Sequence, residues 1–207
     1  MNDFISKCTG IIHVGAHIGQ EAELYDSFDK PVVWIEAIPE IFERLKKNIL
    51  PYKKQKAINA LVSEKDKTTC NFHVSSHDGV SSSIFDLGYH KLIRPEVYIV
   101  GTMLLYCFTL PTIIEMNSID LSAYDAIVID VQGAELLVLK GSIPILKRFK
   151  FIKVEVANFE SYKEGCVLRD ISSFMDLNEF DEFDRCLHGE RITGMDYFDV
   201  TYCRIKK

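Results

Sequence analysis

The sequence predicts an α/β domain with parallel strands and a nucleotide-binding crevice, on three observations. An apolar run, Ile11-Ile12-His13-Val14, stops at Gly15, and Gly19 opens a segment of helical character. A second apolar run, Val32-Val33-Trp34-Ile35, ends on the carboxylate of Glu36, at roughly the distance expected between a glycine turn and a ribose-binding acid. Later, Ala126-Ile127-Val128-Ile129 runs into Asp130, and Gln132-Gly133-Ala134-Glu135 opens another helix. A strand that enters a helix through a turn of small residues bares backbone amides to a ligand. In open α/β sheets ligands gather at the carboxyl ends of parallel strands, so Gly15, Glu36 and Asp130 are directed towards one crevice. On the two glycines alone a plainer reading stays open, in which they only make a tight turn and Glu36 caps the next helix.

The elements follow in order. After the opening strand, residues 20–28 read as a short amphipathic helix that ends before Asp29-Lys30-Pro31, and Pro31 starts the second strand. Pro39 suits a first helical position, and Ile41, Phe42, Leu45 and Ile49 recur at helical spacing. Strand, helix, strand, helix implies parallel strands joined by right-handed crossovers. Residues 56–63 read as a third strand, and 68–74 as an extended run outside the parallel core. The polar stretch 75–83 is either a lid over the crevice or a solvated connection. Residues 97–114 carry no charge, but Gly101, Pro111 and three threonines suit two successive buried strands better than a membrane span. Residues 124–131 form the next strand and the following helix stops at Lys140-Gly141. Residues 151–156 form a fifth core strand, 168–180 a helix, and 183–187 with 197–205 a closing antiparallel hairpin.

Composition narrows the function. The 207 residues are 47% apolar, enough for one domain over 1–207 with a full core. A formal charge of −6 without a basic block argues against nucleic acid, which needs clustered Lys and Arg. The six cysteines are scattered, with neither zinc-type spacing nor a disulfide framework. Asp3 and the missing apolar core at the N-terminus argue against a secretory signal, so a cytoplasmic setting without membrane attachment is expected. Oligomeric state is not legible.

With these residues in place the chain resembles the S-adenosylmethionine-dependent methyltransferases of the FkbM type. The matching pieces are Val14-Gly15-Ala16-His17-Ile18-Gly19-Gln20, Trp34-Ile35-Glu36-Ala37-Ile38-Pro39, Asn59-Ala60-Leu61, Ser81-Ser82-Ser83-Ile84, Ile129-Asp130-Val131-Gln132-Gly133-Ala134-Glu135-Leu136, and Glu155 with Tyr162 beyond it. The resemblance implies a Rossmann-like class I methyltransferase fold. Its sheet would be seven-stranded and mostly parallel, with helices on both faces and an antiparallel C-terminal hairpin. It also implies methyl transfer to oxygen, on a hydroxyl of a sugar, glycan or glycosylated natural product. One departure stands out: His13 occupies a position where relatives usually carry an acidic residue that helps hold the amino end of the cofactor.

The expected roles follow from that chemistry. Gly15, Ala16, His17, Gly19 and Gln20 face the methionine and ribose part of the cofactor, Glu36 the ribose hydroxyls, and Ala37, Ile38 and Ala60 the adenine. A hydroxyl needs a base or a metal to become a nucleophile near neutral pH. Candidate bases are Asp130, Glu155, His77 and His90; Asp130 is best placed but is also a candidate to orient the cofactor amine, and His77 has the more suitable ordinary pKa. Ser81, Ser82, Ser83, His90, Glu135 and Asn158 are expected on the acceptor side. Asp130, Glu135 and Glu155 could converge on a divalent metal, although no ligand spacing calls for one. Two other readings compete. A nicotinamide-dependent oxidoreductase shares the first half of the plan but wants a glycine where His17 stands. A non-catalytic module would keep the fold and bind a partner.

Overall fold

The computed structural model describes residues 3–192 and 194–205. In chain order it contains α1 (Asp3–Lys7), β1 (Ile11–Val14), α2 (Ala22–Ser27), β2 (Val32–Glu36), α3 (Pro39–Ile49), β3 (Gln55–Asn59), β4 (Leu61–Val62), β5 (Thr68–Ser75), α4 (His90–Ile93), β6 (Ile99–Phe108) and α5 (Leu110–Met116). There follow β7 (Ala126–Ile129), α6 (Glu135–Gly141), α7 (Ile143–Leu146), β8 (Phe151–Ala157), α8 (Leu168–Leu177), β9 (Phe180–Ile192) and β10 (Met195–Arg204).

The short apolar runs become the central strands because both their faces are covered. Along β1 and β7 alternate residues enter opposite cores. Ile12, Val14, Ile127 and Ile129 pack with Leu110, Val138, Leu139 and Ile171 of α5, α6 and α8. Ile11, Ala126 and Val128 pack with Phe4, Tyr25 and Leu45 of α1, α2 and α3. The sheet order is β3-β2-β1-β7-β8-β10-β9, with β3, β2, β1, β7 and β8 parallel and β10 antiparallel to both its neighbours. This is the seven-stranded, mostly parallel sheet with a C-terminal hairpin that the resemblance implied. The chain walks outward from β1 to β3 and then returns to β7 on the other side of β1. That reversal opens a crevice above Gly15 and Asp130.

Three expectations about elements change. The third strand is two: β3 joins the main sheet, the chain turns at Ala60, and β4 enters a separate sheet of order β4-β6-β5. Residues 97–114 form one long strand and a helix, not two buried strands. Along β6, Val100, Leu104 and Tyr106 lie exposed, while Leu105 and Cys107 pack with Phe72 and Leu61. Thr109 caps α5 by accepting from Thr112 N–H, which places Pro111 in the first helical turn. Finally, α8 ends at Leu177 and Phe180 already belongs to β9. Among the described residues no helix is long and apolar enough to cross a membrane.

Candidate active site

A crevice partly open to solvent lies at the carboxyl ends of β1, β2 and β7, where open α/β sheets bind their ligands. Its floor is Gly15, held at φ +82°, with backbone N–H groups of Gly15 and Ala16 both donating to Ile35 O at 3.0 Å. A Cβ at Gly15 would stand 1.7 Å from the carbonyl oxygen of Asp130, so only glycine lets β1 and β7 close together here. Glu36 is 7% exposed. Its Oε2 accepts from His17 N–H at 2.9 Å and its Oε1 from Ile38 N–H at 2.8 Å, which ties the glycine loop to the start of α3. Burial raises its pKa, and the two amides act the other way. Each oxygen keeps a further lone pair for a hydroxyl donor. Ala37, Ile38, Ala60, Leu61, Val62 and Phe72 form an apolar wall beside it.

At the other end stand His13, Glu21 and Asp130. His13 is buried, its ring stacked on Trp34 at 4.8 Å and its Nδ1 3.3 Å from Tyr25 Oη. Burial lowers its pKa to about 4, so it is a neutral imidazole near pH 7. Asp130 is held well above the ordinary carboxylate range by burial and by the nearby Glu155 carboxylate. Its Oδ1 accepts from Gln132 Nε2 at 2.5 Å, and Gln132 Oε1 accepts from Tyr162 Oη at 2.6 Å. Gln132 takes φ +56°, a costly conformation for a residue with a Cβ. Glu135 stabilises that loop: Oε1 accepts from Val131 N–H and Gly133 N–H, both at 3.1 Å, and Oε2 from Cys166 Sγ at 3.3 Å.

A second crevice adjoins the first, and Val80 and Gln132 line both. Its wall includes His77, Ser81, His90, Arg94, Glu155 and Tyr197. Between the two crevices runs the turn His77–Gly79, whose three residues all have positive φ. It is tied down on one side by a bidentate pair, Arg44 Nη1 and Nη2 to Asp78 at 2.7 and 2.6 Å, and on the other by His17 Nε2, 2.9 Å from Asp78 O. The polar stretch expected as a lid or a solvated connection is therefore a fixed strap.

The FkbM methyltransferase domain matches residues 13–192 of this chain. The chain belongs to the FkbM methyltransferase family. No curated protein sequence matches this FkbM chain. Among solved structures it is similar to a candidate tRNA (m1A22) methyltransferase of Streptococcus pneumoniae in complex with S-adenosyl-L-methionine, at a TM-score of 0.54 and 11% identity over 99% of this chain and 73% of that one. It is likewise similar to an uncharacterized protein of Listeria monocytogenes serotype 4b, at 0.55 and 9% identity over 99% and 67%. The methyltransferase domain of a bacterial Hen1 protein gives 0.53 and 9% over 95% and 90%. At these identities the likeness is one of fold, shared with S-adenosylmethionine-dependent methyltransferases.

The residues of the FkbM chain suit that cofactor chemically. A buried carboxylate with spare lone pairs fits a ribose diol, the apolar wall fits a purine, and the Asp130–Glu21 end fits a cationic group. Of the residues expected there, Gly15, Ala16, His17, Gln20, Glu36, Ala37, Ile38, Ala60 and Asp130 line the first crevice together. Gly19 does not: a Cβ there would meet Leu45 at 2.8 Å, so it serves the packing of α3. On the acceptor side His77, Ser81, His90 and Glu155 line the second crevice and Ser82 the first. Ser83 is buried, its Oγ donating to Gln132 O, and Glu135 is 1% exposed and braces the loop. Asn158 Oδ1 accepts from Asp196 N–H and so fastens β8 to the hairpin. These three hold the walls and do not face the crevices. Tyr197, Arg94 and Glu21 were missed; each is a lone polar residue without a motif around it. No group of three or more His, Cys, Asp or Glu among the described residues is arranged to hold a metal ion.

Proposed function

We propose that this FkbM domain is an S-adenosylmethionine-dependent O-methyltransferase that acts on a hydroxyl of a sugar or glycan. The observation that carries the reading is the pair of adjoining crevices, one shaped for a nucleoside and the other walled by hydrogen-bonding side chains, sharing Val80 and Gln132. When bound, the cofactor supplies an electrophilic methyl group on a sulfonium. The chain's own task is then to align the acceptor, to take its proton and to exclude water. Glu36 holds the ribose hydroxyls, and Ile38, Leu61 and Phe72 cover the purine. Glu155 lies close enough to help raise the pKa of Asp130, and a cation beside them would favour the charged form of Asp130. That suits the donor's positive end better than the task of a general base. Gln132, held between Asp130 and Tyr162, sets the boundary between donor and acceptor. All six cysteines are free thiols, in keeping with a reducing compartment such as the cytoplasm.

The test is a thermal-shift titration with S-adenosylmethionine, S-adenosylhomocysteine and a nicotinamide dinucleotide, followed by methyl uptake into a panel of methyl glycosides. A ligand at about 100 times its dissociation constant adds about 2.7 kcal/mol, or roughly 5–10 °C for a chain of this size. A shift with the sulfur compounds alone supports the reading. A shift with the dinucleotide alone would restore the oxidoreductase, and no shift with any would favour the non-catalytic module.

A further inference from the structure

Among the described residues the buried side-chain nitrogen left without a hydrogen bond is Nε2 of His90, on a residue 6% exposed. Buried polar groups are ordinarily satisfied, so an orphan of this kind calls for a reason. The rest of the ring is firmly held. Tyr162 stacks on it at 5.4 Å, Tyr197 meets it edge-on at 6.1 Å, and Nδ1 lies 2.6 Å from Tyr197 Oη. Tyr197 Oη is in turn 2.5 Å from Ser161 Oγ. The backbone is pinned as well: the N–H groups of Gly88 and His90 both donate to Ser161 O, at 2.9 and 3.0 Å, and Tyr89 N–H donates to Glu160 O. The imidazole thus lines the second crevice with one nitrogen engaged and the other, Nε2, closed to bulk water and without a partner.

Resting on the methyl-transfer reading, we propose that His90 Nε2 accepts the hydrogen bond, and then the proton, of the acceptor hydroxyl, in a subsite for a neutral polyhydroxylated compound. Of the two tautomers that these contacts allow, base catalysis at Nε2 requires the one in which Nδ1–H donates to Tyr197 Oη, Tyr197 O–H donates to Ser161 Oγ, and Nε2 keeps its lone pair. Burial and the nearby Arg94 lower the pKa of His90, against the opposite pull of Glu96, so the ring is neutral when the acceptor arrives. As the acceptor oxygen bonds to the methyl carbon, the carbon–sulfur bond breaks and its electron pair stays on sulfur. The hydroxyl proton moves to Nε2, and the resulting imidazolium keeps Nδ1–H on Tyr197. The wall carries Arg94, Glu96 and Glu155, two acids to one base, together with Ser81 and Gln132. Such a lining offers hydrogen bonds to hydroxyl groups and no excess of positive charge for an anionic acceptor.

The experiment uses the full chain, labelled with ¹⁵N-histidine and loaded with S-adenosylhomocysteine, alongside His90→Gln and Tyr197→Phe. Long-range ¹H–¹⁵N spectra should show His90 protonated at Nδ1 and bare at Nε2. His90→Gln should keep its affinity for S-adenosylhomocysteine within about twofold while methyl transfer to the glycoside used by the wild type falls by about 10²–10⁴-fold. Tyr197→Phe leaves the ring in place, and should lower that transfer about tenfold and weaken the Nδ1–H preference. A proton on Nε2 in the wild type overturns the assignment, as does a His90→Gln variant that keeps more than about a third of wild-type transfer. If the wild type binds S-adenosylhomocysteine but methylates no glycoside, the sugar reading has failed, and the tautomer then decides for or against His90 by itself.

Discussion

The two crevices that meet at Val80 and Gln132 are built in opposite ways. The first is a product of the backbone: the loops after β1, β2 and β7 supply its floor, and Glu36 is fixed there by two amides from its own neighbourhood. The second is a product of side chains brought from distant parts of the chain, with His90 after β5, Glu155 on β8 and Tyr197 on β10. One site depends on sheet topology and on which residues are small. The other depends on a few hydrogen bonds that span about a hundred residues of sequence, as between His90 and Tyr197. Sites of the first kind belong to a fold, whereas sites of the second kind are where members of one family diverge.

The comparison can be broken most violently at Gly15. Gly15→Val places a side chain against Asp130 O and strains a positive φ, and should cost at least about 4 kcal/mol in urea unfolding. Gly15 is the floor of the first crevice, so that crevice should be lost; a variant of wild-type stability would remove the backbone account. The shared wall gives the next largest effect. Burial raises Glu135 to about 7, so the folded protein keeps a proton that the unfolded chain has already released. Stability contributed by this group is therefore present at low pH and lost as pH rises from about 4.5 to about 7, by at most about 3 kcal/mol. Glu135→Gln should lack that part of the slope in unfolding measured across the window, and an unchanged slope would place the titration elsewhere.

Two smaller changes sharpen the distinction between the sites. Glu36→Gln preserves the shape but loses the charge, and should weaken S-adenosylhomocysteine by about 30-fold in calorimetry. Glu36→Ala is the poorer probe, because His17 N–H and Ile38 N–H would lose their partner as well. Arg44→Gln opens the exposed pair with Asp78 that holds the strap between the crevices. It should speed release of S-adenosylhomocysteine by about threefold in stopped flow, and no change would mean that the strap needs only His17.

Legibility in the sequence divides along the same line. The parallel core strands and most of the lining of the first crevice were readable because each strand, its turn and its carboxylate are contiguous, and the run from Asp130 to Glu135 is specific. Failures inside the fold came where a local pattern has two solutions. An uncharged stretch such as 97–114 fits buried strands, yet β6 tolerates Val100, Leu104 and Tyr106 on an open face. Glu135 looked like a ligand because it is acidic and close to Asp130, whereas its burial and its amide partners appear only in three dimensions. Tyr197 carried no signal at all, since its meaning lies in a histidine from another element. His13 was readable as a departure but not as the neutral, stacked ring that it is.

The most direct test of the division is a calorimetric titration of S-adenosylhomocysteine into the wild type, Glu36→Gln and His90→Gln. Binding to the wild type, at least about tenfold weaker binding to Glu36→Gln, and unchanged binding to His90→Gln would show one crevice for the cofactor and a separate one beside it. Equal losses in both variants, or full affinity in Glu36→Gln, would contradict it.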